Sequence, residues 1–130
     1  MDTRSKIKPL KNLYSVLAGS KWAAIVGYFD PLTATQAKRL ADAERDGRKV
    51  LAIVLIAPDS LLPADARAAL VAAVRSVSAV VIAESQQWRS AIPHQYDIAL
   101  LDDLEGEKKR SAEFIEFILK RQEANPCPSL

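Results

Sequence analysis

The sequence predicts an α/β fold: a single Rossmann-like three-layer α/β/α domain with a mainly parallel sheet. Three observations lead there. Short, continuous apolar runs at Trp22 to Tyr28, Val50 to Ile56 and Val77 to Ile82 read as strands covered on both faces. Amphipathic or alanine-rich segments of helical period separate them, and parallel neighbours joined through helices need right-handed crossovers rather than tight hairpins. The length of 130 residues, 49% of them hydrophobic, suits one domain with one core.

Pro9 suits the first turn of a helix on which Leu10, Leu13, Tyr14 and Leu17 share a face and which Gly19 ends. Residues 1–8 read as a flexible tail. Trp22 to Tyr28 is the first strand, broken by Phe29-Asp30-Pro31. Thr33 or Thr35 caps a weakly amphipathic helix with Ala37, Leu40, Ala41 and Ala43 inward and Gly47 at its end. The β-branched run Val50 to Ile56 is the central strand. Pro63 then starts a helix with Ala66, Leu70, Ala73 and Val74 inward, and Val77 to Ile82 is the third strand. Glu84 to Ile92 is a short helix or loop, and Tyr96 to Leu101 a fourth strand. Glu107 to Gln122 closes the domain as a helix with Phe114, Ile115, Ile118 and Leu119 inward. The tail from 125 to 130 reads as frayed.

Charge and cysteine usage exclude several classes. The 18 basic and 16 acidic residues leave a formal charge of +2, too little to attract nucleic acid or anionic lipid over a distance. No aromatic and basic residues alternate along a strand, so no nucleic-acid platform is read, and Trp22 and Trp88 are assigned to packing. The longest apolar run, Val50 to Ala57, is far shorter than the roughly 20 residues a membrane helix needs. No signal-peptide core follows the basic residues of the first eleven positions. Cys127 is the one cysteine, with no partner for a disulfide or metal site, which suits a reducing cytoplasm.

The chemistry-bearing segment is Gly27-Tyr28-Phe29-Asp30-Pro31-Leu32-Thr33-Ala34-Thr35-Gln36. It resembles the opening signature of the cytidylyltransferase-like nucleotidyltransferases, G-x-F-D-x-L-H-x-G-H. Gly27, Phe29, Asp30 and Leu32 match, and Thr33-Ala34-Thr35-Gln36 replaces the H-x-G-H part. Within that superfamily the likeness is to the heptose-1-phosphate adenylyltransferase domain, whose leading helix is echoed by Leu10 to Ala18. Leu61 to Leu70 resembles the family's helix after the second strand, and Arg75-Ser76-Val77-Ser78 its R-x-V-D segment, with serine for aspartate.

The resemblance implies a nucleotide at the turn after the first strand, held by Gly27, Tyr28, Phe29, Asp30 and Thr35, with Asp59, Arg110 and Ser111 from later loops. It implies a homodimer through Arg75 to Ser78. Enzymes of this kind join a phosphorylated substrate to the α-phosphate of a nucleoside triphosphate and release pyrophosphate. The two histidines donate to phosphate oxygens at a helix start, and the glycine between them lets the phosphates approach the backbone.

Thr33 and Gln36 stand at the histidine positions, and neither side chain carries positive charge. Loss of one preorganised donor costs about 10²–10³ in rate. The family's hydroxyl run at the start of the last helix is also missing from Glu105 to Ser111. The reading is therefore a catalytically degenerate nucleotidyltransferase-like domain in the cytoplasm, a nucleotide-binding or assembly module associated with sugar-nucleotide or envelope metabolism. The alternative is an active nucleotidyltransferase acting on a sugar or polyol phosphate, in which Thr33, Gln36, Lys108, Lys109 and Arg110 replace the usual donors and Mg²⁺ accompanies the triphosphate. No resident metal is assigned. Asp30 and Asp59 read as caps before they read as ligands, Lys108 to Arg110 as a solvated helix face, and His94 as a surface residue.

Overall fold

The structure, a computed structural model, describes residues 2–30, 32–44, 47–84, 86–91, 98–102 and 104–124. Its strands are β1 (Trp22–Gly27), β2 (Lys49–Ile56), β3 (Val77–Glu84) and β4 (Ile98–Asp102). Its helices are α1 (Leu13–Leu17), α2 (Ala34–Glu44), α3 (Ala64–Ala72), α4 (Trp88–Ala91) and α5 (Leu104–Ala124). The four strands form one sheet in the order β3-β2-β1-β4, and the three pairings between neighbours are parallel. This is the α/β architecture that the alternation of apolar runs and helical segments predicts.

Period-two alternation sorts the strand side chains into two cores. Ala23 and Ile25 of β1 and Val50, Ala52 and Val54 of β2 face α2 and α3, packing on Leu40, Ala43, Ala68 and Val71. Trp22, Ala24 and Val26, with Leu51, Ile53 and Leu55, face the other way onto Leu13 and Leu17 of α1 and Trp88 of α4. Both tryptophans thus fill one core. Among the described residues, no helix is long and apolar enough to cross a membrane.

The segment read as an amino-terminal tail runs beside β3. Thr3–Lys6 forms a 3₁₀ turn, Ile7 bridges to Val80, the Lys8 amide donates to the Val80 carbonyl at 2.8 Å, and Lys6 Nζ donates to the Val74 carbonyl. Those contacts cover the edge that β3 would otherwise expose. A register shift between Val50 and Leu51 carries the pairing from Val77 to Ala79 and leaves Ser78 at the irregularity.

Several inward faces differ from the sequence expectation. The opening helix is shorter, a 3₁₀ turn over Leu10–Asn12 followed by α1, and Tyr14 is 54% exposed. On α2 the buried set is Gln36, Leu40 and Ala43, and on α3 it is Arg67, Ala68, Val71 and Ala72, with Leu70 outward. Each face is turned because a polar side chain, Gln36 or Arg67, occupies an inner position that an apolar-only pattern leaves out.

The largest correction is α5. It starts at Leu104, before Glu107, and Phe114, Ile115, Ile118 and Leu119 are all exposed rather than inward. Among the described residues, the helical side chains in the two sheet-face clusters come from α1 with α4 and from α2 with α3. His94, Tyr96, Cys127 and the tail 125–130 lie outside the described residues.

Candidate functional site at the carboxyl end of β1

Strand order decides where a ligand crevice opens. β1 lies between β2, reached through α2 on one face, and β4, reached by way of α4 on the other. The connections diverge at β1, and in open parallel sheets that divergence places the crevice outside the carboxyl ends of the strands. Gly27 ends β1 there, and the turn through Thr33 leads into α2.

The turn holds an unusual backbone. Phe29 adopts φ 51°, the left-handed region that a bulky side chain rarely occupies, while its ring is 1% exposed in the α2/α3 core. Burial of the ring offsets the local strain, which is of order 1–3 kcal/mol. Reversing the chain at Phe29 carries Asp30 across to the loop after β2. Its Oδ1 accepts from the Leu62 amide at 2.9 Å and its Oδ2 from the Leu61 amide at 2.6 Å. Asp30 clasps a neighbouring loop with both oxygens.

Thr33 and Gln36 bond to each other. The Gln36 amide donates to Thr33 Oγ1 at 3.3 Å, and the Thr33 amide donates to Gln36 Oε1 at 3.1 Å. This reciprocal pair is a capping box, in which a Thr at the cap and a Gln three residues later satisfy two amides that a helix start leaves open. The Thr33 hydroxyl also lies 3.4 Å from Gln36 Oε1, and Gln36 is buried. Of the two capping candidates, Thr33 serves, while Thr35 lies exposed in the first turn. The side chains of Thr33 and Gln36 are thereby committed to the helix end. The Ala34 and Thr35 amides have no partner among the described residues and are the donors the turn retains.

Beneath the turn lies a residue that the sequence reading passes over. Arg67 is 1% exposed. Its Nη1 donates to the carbonyls of Tyr28 and Leu55, each at 2.7 Å, and its Nε to the carbonyl of Leu62 at 3.0 Å. One guanidinium therefore joins the end of β1, the end of β2 and the loop between β2 and α3. Its charge is met by main-chain dipoles rather than by a carboxylate of the described residues. The planar five-donor fork of arginine suits several carbonyls at fixed angles.

The remaining candidates are dispersed. Gly27 is buried within β1 against Val54, and Tyr28 is half-buried beside the α1/α4 core. Asp59 is exposed in the turn after β2, one strand away from the divergence between β1 and β4. Since α5 begins at Leu104, Arg110 and Ser111 lie in its second turn, about 9 and 10 Å along the axis from its start. The side chains of Lys108 to Ser111 lie outside the described part of the structure. Within Arg75 to Ser78, Ser76 and Val77 are buried, and Arg75 and Ser78 face outward. Among the described residues, no three His, Cys, Asp or Glu side chains converge as metal ligands.

No protein-family model and no curated protein matches the chain. The turn's meaning therefore rests on its own geometry. Two of its features had signals in the sequence. Thr-x-x-Gln before a helical run is a capping-box spacing. Arg67 stands at the i, i+1, i+4, i+5 positions shared with Ala68, Val71 and Ala72, an apolar face in which a charge must find partners.

Proposed function

We propose that this chain is a catalytically degenerate nucleotidyltransferase-like domain that works in the cytoplasm as a nucleotide-binding or assembly module. The supporting observation is the mutual capping of Thr33 and Gln36. Where such an enzyme needs two free cationic donors aimed at phosphate, this chain has two neutral side chains bonded to each other. Asp30, the matching carboxylate, has both oxygens on backbone amides of the next loop. The turn keeps its shape, and its polar groups serve that shape.

A nucleotide bound here would meet the Ala34 and Thr35 amides at the positive end of α2, neutral donors that hold an anion without neutralising its charge. The alternative reading, an active enzyme transferring a nucleotidyl group to a sugar or polyol phosphate, would have to break the capping box to free its donors.

Pyrophosphate release from each nucleoside triphosphate with Mg²⁺, offered with a panel of sugar and polyol phosphates, is expected to stay at the enzyme-free rate. Gln36→Ala is expected to lower folding stability by about 1 kcal/mol through loss of the cap, measured by urea unfolding, and to leave that background rate unchanged. Sustained turnover that Gln36→Ala abolishes would establish the active reading instead. A thermal shift that saturates with one nucleotide selects the binding role over assembly alone.

A further inference from the structure

The described half of α5 is unlike the rest of the domain. From Ala112 to Glu123 every side chain is exposed, including Phe114 at 50%, Phe117 at 56% and Leu119 at 54%, with Ile115 and Ile118 close behind. At 100° per residue these five span about 200° of the helix, and Phe117, Phe114 and Ile118 make up a stripe of about 100° within it, the width of a single seam. An arc that wide in water marks an interaction surface.

We propose that this surface pairs with the same helix of a second copy of the chain, antiparallel, about a two-fold axis near Phe117. The proposal rests on the assembly reading above and names its partner. Charge order argues for a second copy. Glu113 precedes Phe117 by one turn and Arg121 follows it by one turn, on the same stripe of the helix. An antiparallel copy sets acid against base at both ends, with Glu113 opposite Arg121 of the other helix, whereas a parallel copy sets like against like.

Arg121 lies within the apolar arc, and Glu116 and Lys120 pair with each other on the opposite side of the helix. Lys120 Nζ is 3.0 Å from Glu116 Oε1, and the Arg121 guanidinium sits 5.7 Å from the centre of the Phe117 ring. The Arg121 stem extends the apolar surface beside Phe117, and an antiparallel copy brings Glu113 to its guanidinium.

Size sets the strength. Two half-exposed phenylalanines with three aliphatic neighbours present roughly 400 Å² of apolar surface per copy. A single seam between two copies buries less than the roughly 1,200 Å² at the lower end of specific interfaces, the size range of weak, reversible contacts. Arg75 to Ser78, the dimer contact that the family resemblance implies, offers two outward side chains and no comparable apolar area.

Sedimentation of the full chain from about 1 to 100 µM tests the pairing. A reversible monomer–dimer equilibrium is expected. Phe117→Glu, at an exposed position, is expected to leave a monomer with unchanged far-UV circular dichroism. Glu113→Lys is expected to weaken the dimer about tenfold, and Glu113→Lys combined with Arg121→Glu to restore it. A chain that stays monomeric throughout, a dimer indifferent to Phe117→Glu, or a double reversal that fails to restore association overturns the proposal. Pyrophosphate release on the same samples separates the two readings. An inert monomer removes only this dimer, and a dimer that turns over nucleotide removes only the degenerate assignment.

Discussion

Arg67→Met is expected to destabilise the protein by about 3 kcal/mol or more, read as a shift in the urea midpoint at unchanged slope. Methionine fills much of the same volume and keeps the apolar stem, so the loss reports the guanidinium. Removing it takes a charged donor from the Tyr28 and Leu55 carbonyls, each at 2.7 Å, and from Leu62, whose carbonyl keeps the Ser60 hydroxyl at 2.9 Å. A hydrogen bond to a charged group contributes about 1.5–3 kcal/mol, and the Tyr28 and Leu55 carbonyls each lose one here. Arg67→Lys is expected to recover only part of the loss, since an ammonium presents its donors from one point and cannot bridge carbonyls that belong to three segments. A cost below about 1 kcal/mol for Arg67→Met would mean that water or rearranged backbone replaces the guanidinium, and Arg67 would not be the tie described above.

This residue also marks the limit of what the sequence makes legible. The strands were readable because β1, β2 and β3 are nearly unbroken apolar runs, the pattern left by a parallel sheet buried on both faces. Alternation between strand and helix was enough for the fold class. Inner helix faces were harder, because an apolar count assigns charged and amide side chains to solvent by default. Arg67 and Gln36 are inside for a reason that periodicity does not encode: each bonds main-chain groups brought close only by the folded turn. The face of α5 failed for the opposite reason. Phe114, Ile115, Ile118 and Leu119 have the spacing of a buried stripe, but spacing does not say whether a sheet face remains to receive it.

The turn after β1 was legible in shape and not in use. The strand ending and the break after it put Gly27 to Asp30 at the divergence of the sheet connections. Which groups there remain free depends on bonds to partners 31 and 32 residues away, at Leu61 and Leu62. The capping box is local, and its Thr-x-x-Gln spacing was present in the chain. The residue types at 33 and 36 show the absence of charge, and only their spacing carries the bond that the two make with each other.

Asp30 carries the second large effect, and its substitutions separate charge from geometry. Asp30→Ala is expected to cost about 1–2 kcal/mol, because the Leu62 amide loses its acceptor at a part-buried position while the exposed Leu61 amide can turn to water. Asp30→Asn is expected to cost nearly as much despite its shape. Two amide donors require two acceptor oxygens, and the Asn side chain turns one of those into a donor facing an N–H. The effect should also depend on Arg67, since their bonds form a closed circuit. Asp30 accepts from the Leu62 amide, the Leu62 carbonyl accepts from Arg67, and Arg67 returns to Tyr28, two residues before Asp30. Opening the circuit at one point relaxes the other, so Asp30→Ala and Arg67→Met together are expected to cost about 1 kcal/mol less than the sum of the two alone. Strict additivity in that cycle would show that the loop clasp and the buried guanidinium act separately. The non-additive result makes the turn one mechanical unit, with the Asp30 carboxylate engaged in holding the fold.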